Sequence, residues 1–143
     1  MKIGQNLKQN NIMENQLVTF ETAVLAANKG FDEQCSSVFD QEKQTTELSY
    51  FEDGGMTNNT SIKNNNGYYT EKYLVTAPTQ SLLQRWLREV YKIDIIIQPS
   101  FDKELYYQWR GSINNNPSSI GNVGDTYEET LEVALQESLK LIK

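Results

Sequence analysis

The sequence predicts an α+β protein in which a small, mostly antiparallel sheet of about four strands packs against three helices. Three observations support this class. The chain has 143 residues, which suits one domain with a substantial core. Segments with apolar residues at helical spacing alternate with short runs of β-branched or aromatic residues. The resulting order, α-β-β-α-β-β-α, places the strands in consecutive pairs, which favours antiparallel pairing.

The chain begins with a polar segment that precedes the first helix. Residues 1–16 are rich in Asn and Gln, and they predict a flexible arm because they offer little apolar surface to offset the entropy of ordering. The helix is predicted to start with Thr19 as its N-cap and to stop at Gly30. Phe31 is expected to fold back onto the helix. The apolar positions at helical spacing are Phe20, Val24 and Ala27.

Two short strands are predicted next, at residues 35–39 and 47–51, and residues 40–46 would connect them as a hairpin. Residues 52–67 are rich in Asn and Gly and show no periodicity, which indicates a mobile loop or a tolerated insertion rather than a second domain. We therefore expect residues 17–143 to form one domain that carries this insert.

The strongest helical pattern covers residues 77–92. Thr76 is a suitable N-cap, and Pro78 falls in the first turn, where its missing N–H costs nothing. The pattern predicts one apolar stripe, made of Leu82, Leu83, Trp86, Leu87 and Val90. Polar and charged positions are predicted to face away from this stripe, and they are Gln84, Arg85, Arg88 and Glu89.

Two further strands and a final helix complete the predicted fold. Residues 93–97 read as a strand that Pro99 ends, and residues 104–113 read as its antiparallel partner. Residues 114–124 are rich in Asn, Ser and Gly and predict a loop. The last helix covers residues 126–141. Its capping box is Thr126 with Glu129, and its apolar face is predicted to be Leu131, Ala134, Leu135, Leu139 and Ile142.

Composition excludes several common chemistries. The chain contains no histidine and one cysteine, so nucleophile–histidine pairs and zinc sites built on Cys and His cannot form within it. No Gly-rich phosphate-binding motif of the dinucleotide or P-loop type is present. Cys35 has no base near it in sequence, which favours a buried small residue over a nucleophile. We expect no cofactor.

One carboxylate cluster keeps a hydrolase open as an alternative. Glu128, Glu129 and Glu132 form an EExxE pattern on the last helix, and all-α nucleotide pyrophosphatases of the MazG type begin their magnesium site in this way. Those enzymes need an ExxD pattern on another helix, and this chain has none upstream. The competing interpretation is that the acids stabilise the positive end of the helix dipole.

A second alternative is binding of single-stranded nucleic acid. Arg85 and Arg88 would share the outer face of a helix, while Tyr106, Trp109 and Arg110 would give a strand basic and aromatic character. The net charge of −6 disfavours this function, because phosphate contacts need clustered Lys and Arg. Aromatic residues that alternate on a strand are also typical of a core.

Neither a signal peptide nor a bilayer-spanning stretch is evident in the sequence, and we interpret the chain as a cytoplasmic protein with no membrane partner. Three segments, residues 17–35, 75–99 and 126–143, together resemble a family of small uncharacterised proteins found in phages and prophages of gut bacteria. The resemblance covers most of the chain beyond Met13, except the insert. It implies a phage or mobile-element product that acts in a bacterial host, and it supplies no functional residues.

The sequence as a whole favours recognition over catalysis. Eight tyrosines and two tryptophans exceed what the core of a domain this small must bury, and both residue types are enriched at interfaces. We therefore expect a non-enzymatic accessory protein that binds another protein or a small ligand, with a homodimer as a further interpretation. The surface candidates are Arg85, Arg88, Tyr106, Trp109 and Arg110.

Overall fold

A computed structural model describes residues 17–42, 45–64, 73–100, 106–113 and 116–143. The predicted α+β class is confirmed. The described strands form two three-stranded antiparallel sheets rather than one sheet of about four strands, and the described residues also contain four helices. The chain divides into two compact units, with the boundary after Thr79. The predicted arm at 1–16 lies outside the described residues, and the assignment of 17–143 to one domain stays a prediction.

The described part of the first unit contains two helices and one sheet. In chain order its elements are α1 (Phe20–Asn28), β1 (Ser37–Glu42), β2 (Thr45–Tyr50), α2 (Asn59–Asn64) and β3 (Tyr73–Thr76). The sheet has the order β2-β1-β3, and both pairs are antiparallel. The predicted hairpin of β1 and β2 is confirmed, with a shorter connection than expected because the strands extend to Glu42 and restart at Thr45.

Helix α1 has the ends that its sequence predicts. Thr19 is the N-cap, and its hydroxyl accepts a hydrogen bond from the Thr22 amide. At the other end Gly30 has φ 95°, and the amides of Gly30 and Phe31 donate to the carbonyls of Ala27 and Ala26. This pair of bonds is a Schellman motif, and it turns Phe31 back into the core, where it is 1% exposed.

The buried side of α1 is rotated from the predicted one. Thr22, Ala23 and Ala26 are buried, whereas Phe20, Val24 and Ala27 are only half-buried. Small side chains allow the helix backbone to approach the sheet closely. Phe20 lies at the margin of this contact, and its ring meets Phe39 edge to face at a centroid distance of 5.8 Å.

The segment predicted as a loop at 52–67 contains the short helix α2, which sequence periodicity could not reveal in six residues. Asp32 holds its first turn, because the two carboxylate oxygens accept from the amide and the hydroxyl of Thr60 at 2.7 Å each. Asn59 is buried and bonds to two backbone groups of the unit. Strand β3, which follows, is also absent from the sequence prediction.

The second unit, Gln80–Lys143, consists of two helices and the second sheet. Its elements are α3 (Gln80–Tyr91), β4 (Ile93–Ser100), β5 (Tyr106–Ile113), β6 (Asn116–Gly124) and α4 (Tyr127–Lys140). The strands are antiparallel in the order β4-β5-β6. Both helices pack on the sheet and on each other.

Helix α3 begins at Gln80 instead of after the predicted N-cap Thr76. The intervening residues bond elsewhere in the first unit, since the Ala77 amide donates to the Ser37 carbonyl of β1 and the Pro78 carbonyl accepts from the Val18 amide before α1. The predicted stripe is correct at its centre, where Leu83, Trp86 and Leu87 are buried. At its margins the prediction fails. Leu82 is half-buried, and Val90 is 55% exposed.

Two predictions for the second sheet are wrong. Strand β4 passes through Pro99 and ends at Ser100, which an edge strand permits because a proline there need not donate to a neighbour. The predicted loop at 114–124 contains strand β6. Its Asn, Ser and Gly residues have low β propensity, and it pairs with β5 through two shifts of register.

Helix α4 matches its prediction most closely. The Glu129 amide donates to the Thr126 hydroxyl, and the Glu129 carboxylate accepts from the Asp125 amide. This reciprocal arrangement has the logic of a capping box. All of the predicted apolar face is buried, namely Leu131, Ala134, Leu135, Leu139 and Ile142.

Replacing Gly30 with alanine tests the helix stop. A Cβ at this position meets nothing within 4 Å, so the cost is conformational and should be about 1–2 kcal/mol of unfolding free energy. Gly30→Asn should cost less, because Asn tolerates the left-handed region. Urea unfolding of the three proteins measures the ranking. Equal stability of Gly30→Ala and the parent would contradict the assigned conformation.

Candidate functional site

Within the second unit, the described helices cover one face of the sheet and leave its other face without a helix. Side chains of a strand alternate between the two faces. Ile93 and Ile95 of β4 and Trp109 of β5 are buried under α3 and α4, with exposures of 4%, 7% and 3%. Ile96 and Arg110 have the opposite parity and are exposed. The exposed residues therefore lie on the helix-free face.

The predicted surface candidates do not form one site. Arg85 and Arg88 are exposed on α3, on the side of the helix turned away from the sheet, whereas Arg110 lies on the helix-free face at the other side of the unit. Trp109 was a candidate for the surface, and this prediction is wrong because its indole is buried. Tyr106 opens β5 opposite Ser100, and its side chain lies outside the described residues.

The described aromatic residues of β5 do not form an exposed surface on which bases could stack. Tyr107 is half-buried, and its ring contacts that of Tyr127 edge to face at 6.2 Å. Trp109 packs under the helices, so its truncation would damage the core rather than report on a ligand. The aromatic residues of β5 that the structure describes therefore serve the fold.

Ile96 is the residue that sequence analysis missed. It is 58% exposed in the middle of a strand whose neighbouring isoleucine, Ile95, is 7% exposed. In the sheet Ile96 is paired with Arg110. The register pairs on either side are polar, Asp94 with Ser112 and Gln98 with Gln108. The signal was available in the sequence, since Asp94 and Gln98 share the parity of Ile96 and mark that parity as the solvent side.

The outer edge of β4 is closed by a helix side chain. Gln84 is half-buried and its Nε2 donates to the carbonyl oxygen of Ile95 at 3.0 Å. Gln84 was predicted only to face away from the apolar stripe of the helix, and its bond to the sheet was not foreseen. A bond of this kind satisfies a backbone group that would otherwise invite another strand.

The three glutamates of the EExxE pattern have separate roles. Glu129 accepts from the Asp125 amide in the helix cap, and Glu132 accepts from the Nε2 of the buried Gln80 at 3.1 Å. Glu128 is exposed, and its backbone carbonyl accepts a second bond from Gln80. Among the described residues no group of three or more Cys, Asp or Glu side chains could hold a metal ion. The geometry gives the hydrolase alternative no support.

Cys35 is buried, at 3% exposure, and its thiol lies 3.5 Å from the carbonyl oxygen of Glu33. Burial raises the pKa of this thiol from 9.0 to about 11, and the negative charge of Glu33 acts in the same direction. The thiol is therefore protonated at neutral pH, and thiolate chemistry is suppressed. The interpretation of Cys35 as a small core residue agrees with this environment.

Within the described parts of the chain, no helix is both long enough and apolar enough to cross a bilayer. Comparisons of the chain with protein-family models, with curated proteins and with solved structures found no match.

The Cys35 environment predicts a pH dependence of stability. The folded state holds the thiol proton more tightly than the unfolded chain, so this contribution is intact below pH 9.0 and is lost as the pH rises toward 11. Urea unfolding from pH 8 to pH 11 should show a steeper loss for the parent than for Cys35→Ala, in which tyrosine titration is unchanged. Parallel curves for the two proteins would contradict a buried, proton-holding thiol.

Proposed function

We propose that this chain is a protein-binding module whose contact surface is the helix-free face of the β4-β5-β6 sheet. The exposure of Ile96 carries the proposal. A large aliphatic side chain at the centre of a strand, exposed while its neighbour is buried, gives up the free energy that burial would supply, on the order of 1.5–3 kcal/mol. A partner that covers this side chain would recover it.

The surroundings of Ile96 resemble the anatomy of a small interface. Such interfaces combine an apolar centre with Arg, which is enriched there, and a polar rim that keeps hydrogen-bonding capacity. Here Arg110 lies beside Ile96, and the flanking pairs contribute carboxylate, hydroxyl and amide groups. This chemistry suits a partner that presents an apolar side chain to Ile96 and a carboxylate to Arg110.

The same face favours a protein over a small molecule as the ligand. Small-molecule sites are concave and bury most of the ligand. The side chains around Ile96 instead project from neighbouring strands of one sheet. A sheet face of this kind is broad and does not enclose a ligand. A broad surface suits contact with another protein.

The edges of this sheet are poor alternatives to its face. Gln84 occupies the Ile95 carbonyl on β4, and Pro99 lacks an N–H to donate. Strand β6 contains Pro117 and two register shifts. Because an added strand requires a regular row of backbone donors and acceptors, we infer recognition by side chains on the face. In the phage context that the sequence resemblance implies, the partner would be a protein of the bacterial cytoplasm.

Substitution of Ile96 tests this surface against an equally exposed control. Ile96→Asp and Arg110→Glu should each weaken capture of a bacterial partner by about tenfold or more, since each removes a central contact, and tenfold corresponds to about 1.4 kcal/mol. Val90→Asp is the matched control, because Val90 is 55% exposed, close to the 58% of Ile96, but lies on α3. Titrating the immobilised variants with the captured protein gives the affinities.

The outcome is decided by the contrast between the variants. Retained affinity in Ile96→Asp, or equal losses in Ile96→Asp and Val90→Asp, would contradict the assignment of the helix-free face. Failure of bacterial lysate to yield any partner at stoichiometric level would contradict the proposed function itself.

A further inference from the structure

Strand β2 lies at one edge of the first sheet, and its backbone hydrogen-bonding pattern can be assigned. The Phe51 amide donates to the Ser36 carbonyl at 2.9 Å, which makes this pair hydrogen-bonded. In an antiparallel ladder such pairs alternate with pairs that are not bonded to each other. The Leu48–Phe39 and Thr46–Gln41 pairs are therefore of the second kind. The amide and carbonyl groups of Thr46 and Leu48 consequently point away from β1, toward the outer edge.

The opposite edge of the same sheet, at β3, follows the same alternation of bonded pairs. There, however, an outward backbone group has a side-chain partner. The Ala77 amide donates to the Ser37 carbonyl, so alternation directs the Thr76 amide outward from β3. That amide donates to Oδ1 of the buried Asn59 at 3.0 Å, and Asn59 Nδ2 donates to the Phe31 carbonyl at 2.8 Å. The edge of β3 is thus closed by a side-chain amide.

The edges of the second sheet carry obstacles of their own. Gln84 bonds to the Ile95 carbonyl on β4, and Pro99 interrupts the donors of that strand. Strand β6 contains Pro117 and pairs irregularly with β5. Prolines, irregular pairing and side-chain bonds to edge groups are common means of preventing unwanted strand pairing.

Among the described residues, no proline and no register shift interrupts strand β2, and no side chain bonds to the outward backbone groups of Thr46 and Leu48. Its sequence, TTELSY, contains no proline, glycine or lysine, and it pairs with β1 over six consecutive residues without a register shift. Thr, Leu and Tyr pack well on a sheet surface, and Glu47 is the only charged residue of the strand. A regular edge with strand-forming residues and little charge is suited to accept another strand.

We propose that β2 of a second copy of this chain pairs with β2 in antiparallel orientation. The first sheets of the two copies would then form one six-stranded sheet. Charge selects the register. A two-fold axis at Glu47 would place two glutamates opposite each other, whereas an axis at Leu48 places Leu48 opposite its own copy and Glu47 opposite Ser49. The second register also directs the outward backbone groups of Leu48 toward each other. Such a self-complementary contact closes with two-fold symmetry and goes no further.

The test uses a proline that blocks only the outer edge. Thr46→Pro removes an amide that points away from β1, so the β1–β2 ladder keeps its bonds. Thr46→Val keeps the amide and favours a strand, and it is the matched control. In sedimentation equilibrium the parent and Thr46→Val should approach twice the monomer mass as concentration rises, while Thr46→Pro should lose this increase.

A cross-link tests the register without relying on a proline. Under mild oxidation Leu48→Cys should form a disulfide-linked dimer, because the paired Cα atoms would lie about 5.5 Å apart. Glu47→Cys should not, since its symmetric counterpart would lie opposite Ser49. Cys35 is buried and gives no background. A monomeric parent at all concentrations, a dimer that persists in Thr46→Pro, or equal cross-linking of the two cysteine variants would each overturn the proposal. Ile96→Asp should leave the dimer intact, which separates this result from that of the partner assay.

Discussion

The two sheets depend on how their outermost backbone groups are satisfied. Asn59 uses both ends of its side-chain amide to join the outer edge of β3 to the carbonyl of Phe31, just after α1. Gln84 donates from α3 to the outer edge of β4. A backbone group that loses its partner on burial costs about 1–3 kcal/mol. These two side-chain amides therefore matter for the stability of the sheets. They also set which parts of each sheet another molecule can use.

The two contact surfaces that we propose are the parts of each sheet that the described helices and edge side chains do not cover. In the second unit, the described helices cover one face of the sheet and its edges carry obstacles, so the other face, with Ile96 and Arg110, is the contact surface that we propose. In the first unit, Asn59 closes one edge while β2 stays regular along its length. The two surfaces differ in kind, because one offers side chains and the other offers backbone. Their proposed partners differ accordingly, a second protein for the face and a second copy for the edge.

Sequence reasoning succeeded where local chemistry specifies structure. The N-cap Thr19, the stop at Gly30 and the apolar face of the last helix were all predictable, since each depends on residues within a turn or two. It failed where the structure of a segment depends on the strand with which it pairs. Strand β6 is built from poor strand formers that pair with β5. Thr76, which was predicted as a helix N-cap, is instead the last residue of β3, and the next amide, that of Ala77, donates to Ser37 of the same sheet.

The site was predictable only in part for the same reason. Arg85, Arg88 and Arg110 are exposed as expected, but composition could not show that they lie on two sides of the unit. Trp109 was assigned to the surface from its residue type, whereas its parity on β5 buries it.

Residue-resolved amide hydrogen exchange is the most direct test of whether the edge of β3 is closed and the edge of β2 is open. The Thr76 amide should exchange slowly at every concentration, and the Thr46 and Leu48 amides should exchange fast in dilute protein and slow down as concentration rises. Amides of Thr46 and Leu48 that are as slow as that of Thr76 in dilute protein would contradict an open β2 edge.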